Sequence, residues 1–328
     1  MASNERNLSS LKQKFINIEL PEDSGLDDSY KSVILREINQ ILKSQTLERA
    51  KHYLGILSRN LANPDWNIKQ GINMDLWKGY DHIYTDSLWI MGKRVSNDYH
   101  KAWYWGNFVP QIPFQLISRY TEEGEWVLDP FCGSGTTLFE ARNLGRNSIG
   151  IELNPDIYRK VKESLLSERD NSLYVSEVTN GNSLTYDFTE LLAKYDIDGF
   201  RLSIVHPPYW DIIKFSDNPD DLSNSPDLED FVLKLKETIK RMLPAMKPES
   251  HIGLVIGDMY RGGEVIPLGF KTMAALQDLG LKLRGIVVKD IQNTKAKRTN
   301  ENLWRYRALK SGFYVFRHEY IFVFKVMK

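Results

Sequence analysis

The chain has 328 residues, 43 Lys and Arg against 43 Asp and Glu, and a single cysteine. One cysteine excludes an internal disulfide or a cysteine-rich zinc site, so a secreted disulfide scaffold is ruled out and a reducing compartment is expected. The balanced charge excludes a uniformly basic, polyanion-coating protein but allows a local basic face; with no apolar run of about 18 residues and no signal-peptide core at its start, the chain is expected to act in the cytoplasm.

Residues 1–27 are polar and aperiodic and are expected as a loose tail. From Asp28, one stripe of Ile34, Ile38, Ile41 and Leu42 and another of Leu47, Ala50, Leu54, Leu57 and Leu61 have the spacing of two amphipathic helices. Residues 62–104 are rich in Trp, Tyr, Asn and Asp without a clear period, and their histidines and tryptophans lack metal-ligand spacing. Residues 28–104 are therefore expected as a helical and aromatic extension, and 105–328 as the main domain.

From about residue 107 the rhythm becomes strand, turn, helix. Apolar runs at 126–128, 148–151, 202–205, 252–256, 283–288 and 320–326 read as strands. Helices are expected over 137–144, closed by Gly145, from Pro155, and over 267–279, closed by Gly280. Such alternation predicts a mainly parallel sheet covered on both faces, with ligands beyond the C-terminal strand ends.

Two turns carry the unusual residues. Asp129-Pro130-Phe131-Cys132-Gly133-Ser134-Gly135-Thr136-Thr137 lies between a strand and a helix, where glycines admit a ligand to the backbone and the helix start offers free N–H groups. Glu152, at the end of the next strand, can accept both hydroxyls of a ribose. Leu138 stands where a dinucleotide fingerprint wants its third glycine, and the Gly-Lys-Ser/Thr of a P-loop is absent, so neither NAD nor ATP fits. The second turn is His206-Pro207-Pro208-Tyr209-Trp210. Its prolines fix the backbone and remove two N–H donors, and Tyr209 supplies a flat face for a base.

DPFCGSGTT resembles the cofactor motif of S-adenosylmethionine-dependent methyltransferases that modify exocyclic amino groups, above all DNA amino-methyltransferases of the N4-cytosine and N6-adenine types. The resemblance implies a class I methyltransferase, Rossmann-like, with a seven-stranded sheet. It implies S-adenosylmethionine as cofactor, with Gly133 and Gly135 facing its methionine portion, Asp129 its ammonium and Glu152 its ribose. Phe131, Ser134, Thr136 and Thr137 complete that turn. The segment from Gly106 to Ile117 looks like the family's other cofactor segment, with Phe108, Pro110 and Pro113 under the methionine tail. Asn182 stands where the family often has Asp against the adenine.

The His206 turn resembles the family's catalytic Asp/Asn/Ser-Pro-Pro-aromatic motif, with histidine at the first position. Pro207, Pro208 and Tyr209 carry over directly; His206 either caps the strand end or accepts a hydrogen bond from the target amine. In-line transfer to nitrogen needs no covalent intermediate, and the only cysteine sits in the cofactor turn, which disfavours carbon-5 cytosine methylation. Pro-Pro-Tyr-Trp leans towards N4 of cytosine over N6 of adenine. Alternatives are an RNA or protein amine methyltransferase and a non-catalytic cofactor-binding or DNA-recognition subunit.

Between Lys289 and Lys310 lie Lys295, Lys297, Arg298, Arg305 and Arg307 with Trp304 and Tyr306 interleaved, a composition suited to phosphates and stacked bases. This tract is expected to contact DNA with the target base flipped out. The Asp-rich run from 217 to 230 is expected as a solvated loop, with a lid or partner site as the alternative, and Gly257–Tyr260 as either a pocket border or a surface loop.

Overall fold

The computed structural model describes residues 2–16, 18, 28–62, 71–72, 74–80, 82–95, 103–104, 106–167, 173–291 and 301–327. The chain divides into two compact units, 1–83 and 84–328. In the first, α2 (Asp28–Lys43) and α3 (Leu47–Ala62) occupy the two expected stripes. Their Ile34, Ile38, Ile41, Ala50, Tyr53 and Leu57 form a buried cluster. Residues expected as a loose tail contain α1 (Ala2–Gln13), whose Leu8 and Leu11, with Phe15 beyond it, pack on that cluster. The spacing 8, 11, 15 is helical, and it is the burial of those three residues that orders an otherwise polar segment.

The second unit begins at Tyr84 rather than 105 because β1 (Leu88–Trp89) joins the edge of the main sheet. The other strands are β2 (Trp126–Asp129), β3 (Asn147–Glu152), β4 (Ser176–Asn180), β5 (Phe200–Val205), β6 (Met246–Ile256), β9 (Lys282–Asp290) and β10 (His318–Lys325). Their order is β1-β9-β10-β6-β5-β2-β3-β4; β10 runs antiparallel to both neighbours and the other pairs are parallel. This is the doubly wound sheet expected of a class I methyltransferase, with eight strands where seven were expected. A separate hairpin, β7 (Met259–Arg261) and β8 (Glu264–Ile266), follows β6.

Helices α4 (Gln111–Tyr120), α5 (Thr136–Asn143), α6 (Pro155–Ser167), α7 (Thr189–Tyr195), α8 (Leu228–Met242) and α9 (Leu268–Gln277) cover the sheet. α5 and α6 bury Leu138, Phe139, Val161 and Leu165 in one cluster. Leu191, Phe231, Leu235, Ile239, Leu268 and Leu276 of α7 to α9 join Leu128, Ile149, Ile151, Leu254 and Phe322 of the strands in another. Each such fully buried side chain contributes about 1.5–3 kcal/mol. Successive connections leave β2 in one direction through β3 and β4 and return to β5 on its other side. A crevice therefore opens between the C-terminal ends of β2 and β5, where ligands bind in such sheets. Among the described residues, no helix is long and apolar enough to cross a membrane.

Candidate active site

Both unusual turns leave adjacent strands at that crevice. After β2, the chain turns through Pro130–Gly135, closed by the Gly135 N–H donating to the Cys132 carbonyl at 2.9 Å. Gly133 and Gly135 have φ of +50° and +79°, which side chains rarely adopt. A Cβ on Gly133 would stand 3.0 Å from the Tyr104 ring, and one on Gly135 would stand 2.9 Å from Val161 Cγ1.

Glu152 braces the turn. One carboxylate oxygen accepts from Gly133 N and the other from Asn154 N, each at 2.8 Å. Burial raises Glu152 to about 7 despite those two bonds. Asp129 accepts from Phe131 N at 3.0 Å, while its other oxygen is buried without a hydrogen-bond partner. Burial raises its carboxyl to about 6. The Cys132 thiol is pushed far up by burial and then by Asp129 and Glu152, so it stays protonated and is no nucleophile.

Ser134 Oγ donates to Asn107 Oδ1, tying the glycine turn to the Gly106–Pro110 segment, while Asn107 Nδ2 is buried without a partner. Arg94 Nη1 donates to the Phe108 carbonyl at 2.9 Å; its Nε and Nη2 are buried and unpaired. Burial lowers the Arg94 pKa, yet the guanidinium keeps its charge at neutral pH.

The second turn follows β5. The His206 ring stands edge-on to Phe108 (4.7 Å between centroids) and to Tyr209 (5.6 Å). Burial depresses His206 to about 4, against an upward pull from Glu319, so the imidazole is neutral at physiological pH. Tyr209 donates its hydroxyl to Glu319 Oε2 at 2.9 Å, and Lys289 Nζ lies 2.9 Å from Glu319 Oε1. Trp210 has φ of +50°, an outlier for a bulky residue. It is held by its indole N–H to the Ser225 carbonyl (2.9 Å) and by the Arg261 guanidinium over its ring (4.4 Å), with Arg261 also paired to Asp211 at 2.9 Å.

Between the turns lies a cavity of about 770 Å³. Phe108, Phe131, Gly133, Thr136, Glu152, Asn182, His206, Pro207, Pro208 and Tyr209 line it, as do Arg94, Tyr104 and Asn107. Among the described residues, no group of three His, Cys, Asp or Glu side chains is placed to hold a metal ion. The cavity has the size of a small-ligand pocket, and several polar groups converge on it.

The chain's kinship accords with this site. A match to the family model of DNA methylases runs from residue 34 to residue 163. Over that span the chain is similar to DNA methylases. The stretch contains the glycine turn and Glu152 and ends before the His206 turn. It begins inside the N-terminal helices, where the sequence by itself resembled nothing. The type II methyltransferase M.HindIII of Haemophilus influenzae is 35% identical over 131 residues, 39% of this chain and 37% of that protein. M.MjaII of Methanocaldococcus jannaschii, also a type II methyltransferase, is 28% identical over 151 residues, 42% of this chain and 27% of that protein. The matched part is thus well under half of either relative. A SAM-dependent methyltransferase of Methanosarcina mazei with a solved structure is 15% identical, aligned over 63% of this chain and 95% of that one at a TM-score of 0.41. That likeness is too distant to add to the topology of the sheet.

Some expected residues stand behind the cavity wall. Pro110 precedes α4 and Pro113 lies in its first turn, where a missing N–H costs nothing; Asp129, Ser134, Gly135 and Thr137 back the glycine turn. Asn182 lines the cavity, but its amide donates to Asp220 at 2.9 Å and its oxygen accepts from Leu184 N at 3.0 Å. Asp220 and Asp221 also line it, and Asp221 is 6% exposed, so this part of the expected solvated loop is a wall of the site. Gly257 packs under Tyr209, while Asp258 accepts from Gly269 N at the start of α9.

Lys295, Lys297 and Arg298 lie outside the described residues. Trp304, Arg305 and Arg307 fall on helix α10 (Glu301–Ser311), where a loop was expected. Trp304 and Arg305 line a second groove of about 410 Å³, and the Arg307 guanidinium lies 5.5 Å from the Trp304 ring centre. Sequence reasoning missed Arg94, Tyr104, Asp220 and Glu319 as cavity residues; none sits in a local motif, so only their spatial convergence marks them.

Proposed function

We propose that this chain transfers a methyl group from S-adenosylmethionine to an exocyclic amino group of a DNA base, with N4 of cytosine as the target. The observation that carries the reading is the meeting of the glycine turn and the Pro-Pro-Tyr turn across one cavity. The residues present fit the cofactor. Asp129, buried behind the glycine turn, gives that end of the cavity a carboxylate whose charge suits an ammonium. Arg94 Nε and Nη2 and Asn107 Nδ2 are donors without acceptors, as a carboxylate needs. Glu152 has lone pairs left for ribose hydroxyls, and Asp220, which takes the Asn182 amide, is the carboxylate on the wall assigned to the adenine.

When bound, the cofactor supplies an electrophilic methyl on a sulfonium. The chain's own part is positioning and electrostatics. Phe131 and the glycine turn hold one side of the cavity close to the backbone. Tyr209 gives the base a stacking face, and Pro207 offers a carbonyl that no neighbouring N–H competes for. Neutral His206 has an unprotonated ring nitrogen able to accept one N–H of the amine, which leaves the amine lone pair available for attack. The base reaches this slot only when flipped from the duplex. Trp304, Arg305 and Arg307 on α10, with Lys295, Lys297 and Arg298, are assigned to the DNA backbone and flanking bases, and the helical and aromatic extension, residues 28–104, to holding or selecting DNA. Such a protein works in the cytoplasm.

Incubation with labelled S-adenosylmethionine and unmethylated genomic DNA, followed by nucleoside mass spectrometry, tests this. N4-methylcytosine is expected. N6-methyladenine would move the target base, and cofactor binding without transfer to DNA would mark a non-catalytic subunit.

A further inference from the structure

Glu319 is the second residue of β10, the one strand that runs against the others, so the start of β10 lies at the same edge as their C-terminal ends. Across the β9–β10 ladder its direct partner is Lys289. The two side chains are 10% and 9% exposed and are joined at 2.9 Å. A buried ion pair is weak evidence of stability, since apolar residues of similar size serve a sheet as well or better. This pair borders the cavity, and its remaining carboxylate oxygen takes the Tyr209 hydroxyl at 2.9 Å. Tyr209 is confined further by Gly257, where a Cβ would come within 3.0 Å of the ring, and by His206, edge-on at 5.6 Å. One bond from a strand distant in sequence thus anchors the hydroxyl end of the aromatic ring on which the target base is to stack, while Gly257 and His206 limit its rotation.

We propose that Glu319, itself fixed by Lys289, is a positioning residue for methyl transfer: it holds the Tyr209 ring edge-on to His206 and so keeps the slot for the target base open. The inference rests on the amino-methyl transfer reading above. In this role Glu319 acts through Tyr209, so its loss should reduce turnover while sparing cofactor binding.

Glu319→Ala is expected to lower kcat about 100-fold, the scale of a misplaced reacting group, with the Kd for S-adenosylmethionine by calorimetry within about twofold of the parent. Glu319→Gln, which can still accept from the phenol, should recover part of that loss. In a Tyr209→Phe background, Glu319→Ala should have little further effect. Lys289→Met combined with Glu319→Met leaves no unpaired buried charge. This double variant should match the parent's unfolding temperature yet show the same low turnover. Equal losses from Glu319→Ala with and without the Tyr209 hydroxyl would overturn the proposal, as would weakened cofactor binding or a fully active double variant.

A measurement independent of activity separates this inference from the functional reading. In protein labelled with 3-fluorotyrosine, the Tyr209 fluorine resonance, assigned by its absence in Tyr209→Phe, should shift on Glu319→Ala. If the parent transfers no methyl group, the functional reading fails, while an unmoved resonance would refute the hold on Tyr209.

Discussion

The two turns that face each other across the cavity are built in opposite ways. The glycine turn is supported from close at hand: its brace, Glu152, lies 19 residues from Gly133 and acts on backbone N–H groups. The Pro-Pro-Tyr turn is supported from afar. Tyr209 leans on Glu319, 110 residues away, and Trp210 on Ser225 and Arg261. A backbone cradle needs only local conformation and one carboxylate. A stacking platform made of side chains needs neighbours that fix each rotamer, and those come from whichever strands the sheet places beside it.

The largest expected effect strikes the cradle. Glu152→Ala leaves the N–H groups of Gly133 and Asn154 without acceptors, each costing about 1–3 kcal/mol. Thermal unfolding should come at clearly lower temperature, and calorimetry should detect no cofactor binding. Arg261→Ala probes the other turn. Loss of the cation over Trp210 is worth about 0.5–2 kcal/mol, or about two- to thirtyfold in turnover, with cofactor affinity unchanged. A drop in cofactor affinity would break the separation of the two turns.

Asp129→Asn tests the buried carboxyl raised to about 6. The folded state holds its proton more tightly than the unfolded state, whose value is near 3.9. Stability from this group is therefore present at low pH and is lost as pH rises to about 6, staying low above it. The variant should unfold at a higher temperature than the parent at pH 8 by thermal denaturation.

Titration of His206 gives the smallest effect on activity near neutrality. Its depressed value, about 4 against an ordinary 6.5, means that the unfolded chain binds the proton first. Stability from this group is present above about 6.5 and declines as pH falls towards 4. The rate should show no inflection from His206 between pH 8 and 5 in a pH profile of kcat. An inflection near 6.5 that disappears in His206→Gln would place the imidazole in solvent rather than between Phe108 and Tyr209.

Much of this fold was legible because hydrophobic period follows burial. Ile34, Ile38 and Ile41, and the runs at 202–205 and 252–256, each bury the face that their spacing announces. β4 escaped because Ser176–Asn180 is a polar edge strand with only Val178 buried, and β1 because two residues have no period. In the site, Gly133, Glu152 and the Pro-Pro-Tyr turn could be found because each is a contiguous motif or lies at a motif's usual distance. Asp220 looked like part of an acidic solvated run, since nothing in its neighbours says that Asn182 will meet it. Arg94 likewise stands in a segment without period.

The amino-acid order alone determined where the chain can turn tightly and which turns carry ligand chemistry, because proline fixes φ and glycine alone adopts positive φ without strain. It also decided that the one cysteine lies in the cofactor turn. Which side chains converge on those turns was decided by the tertiary structure. The antiparallel insertion of β10 beside β9 brings Glu319 to Lys289 and Tyr209, and burial of that cluster leaves His206 neutral. Charge, hydrogen bonding and rotamer at such a site depend on distance through space, and sequence separation does not encode it.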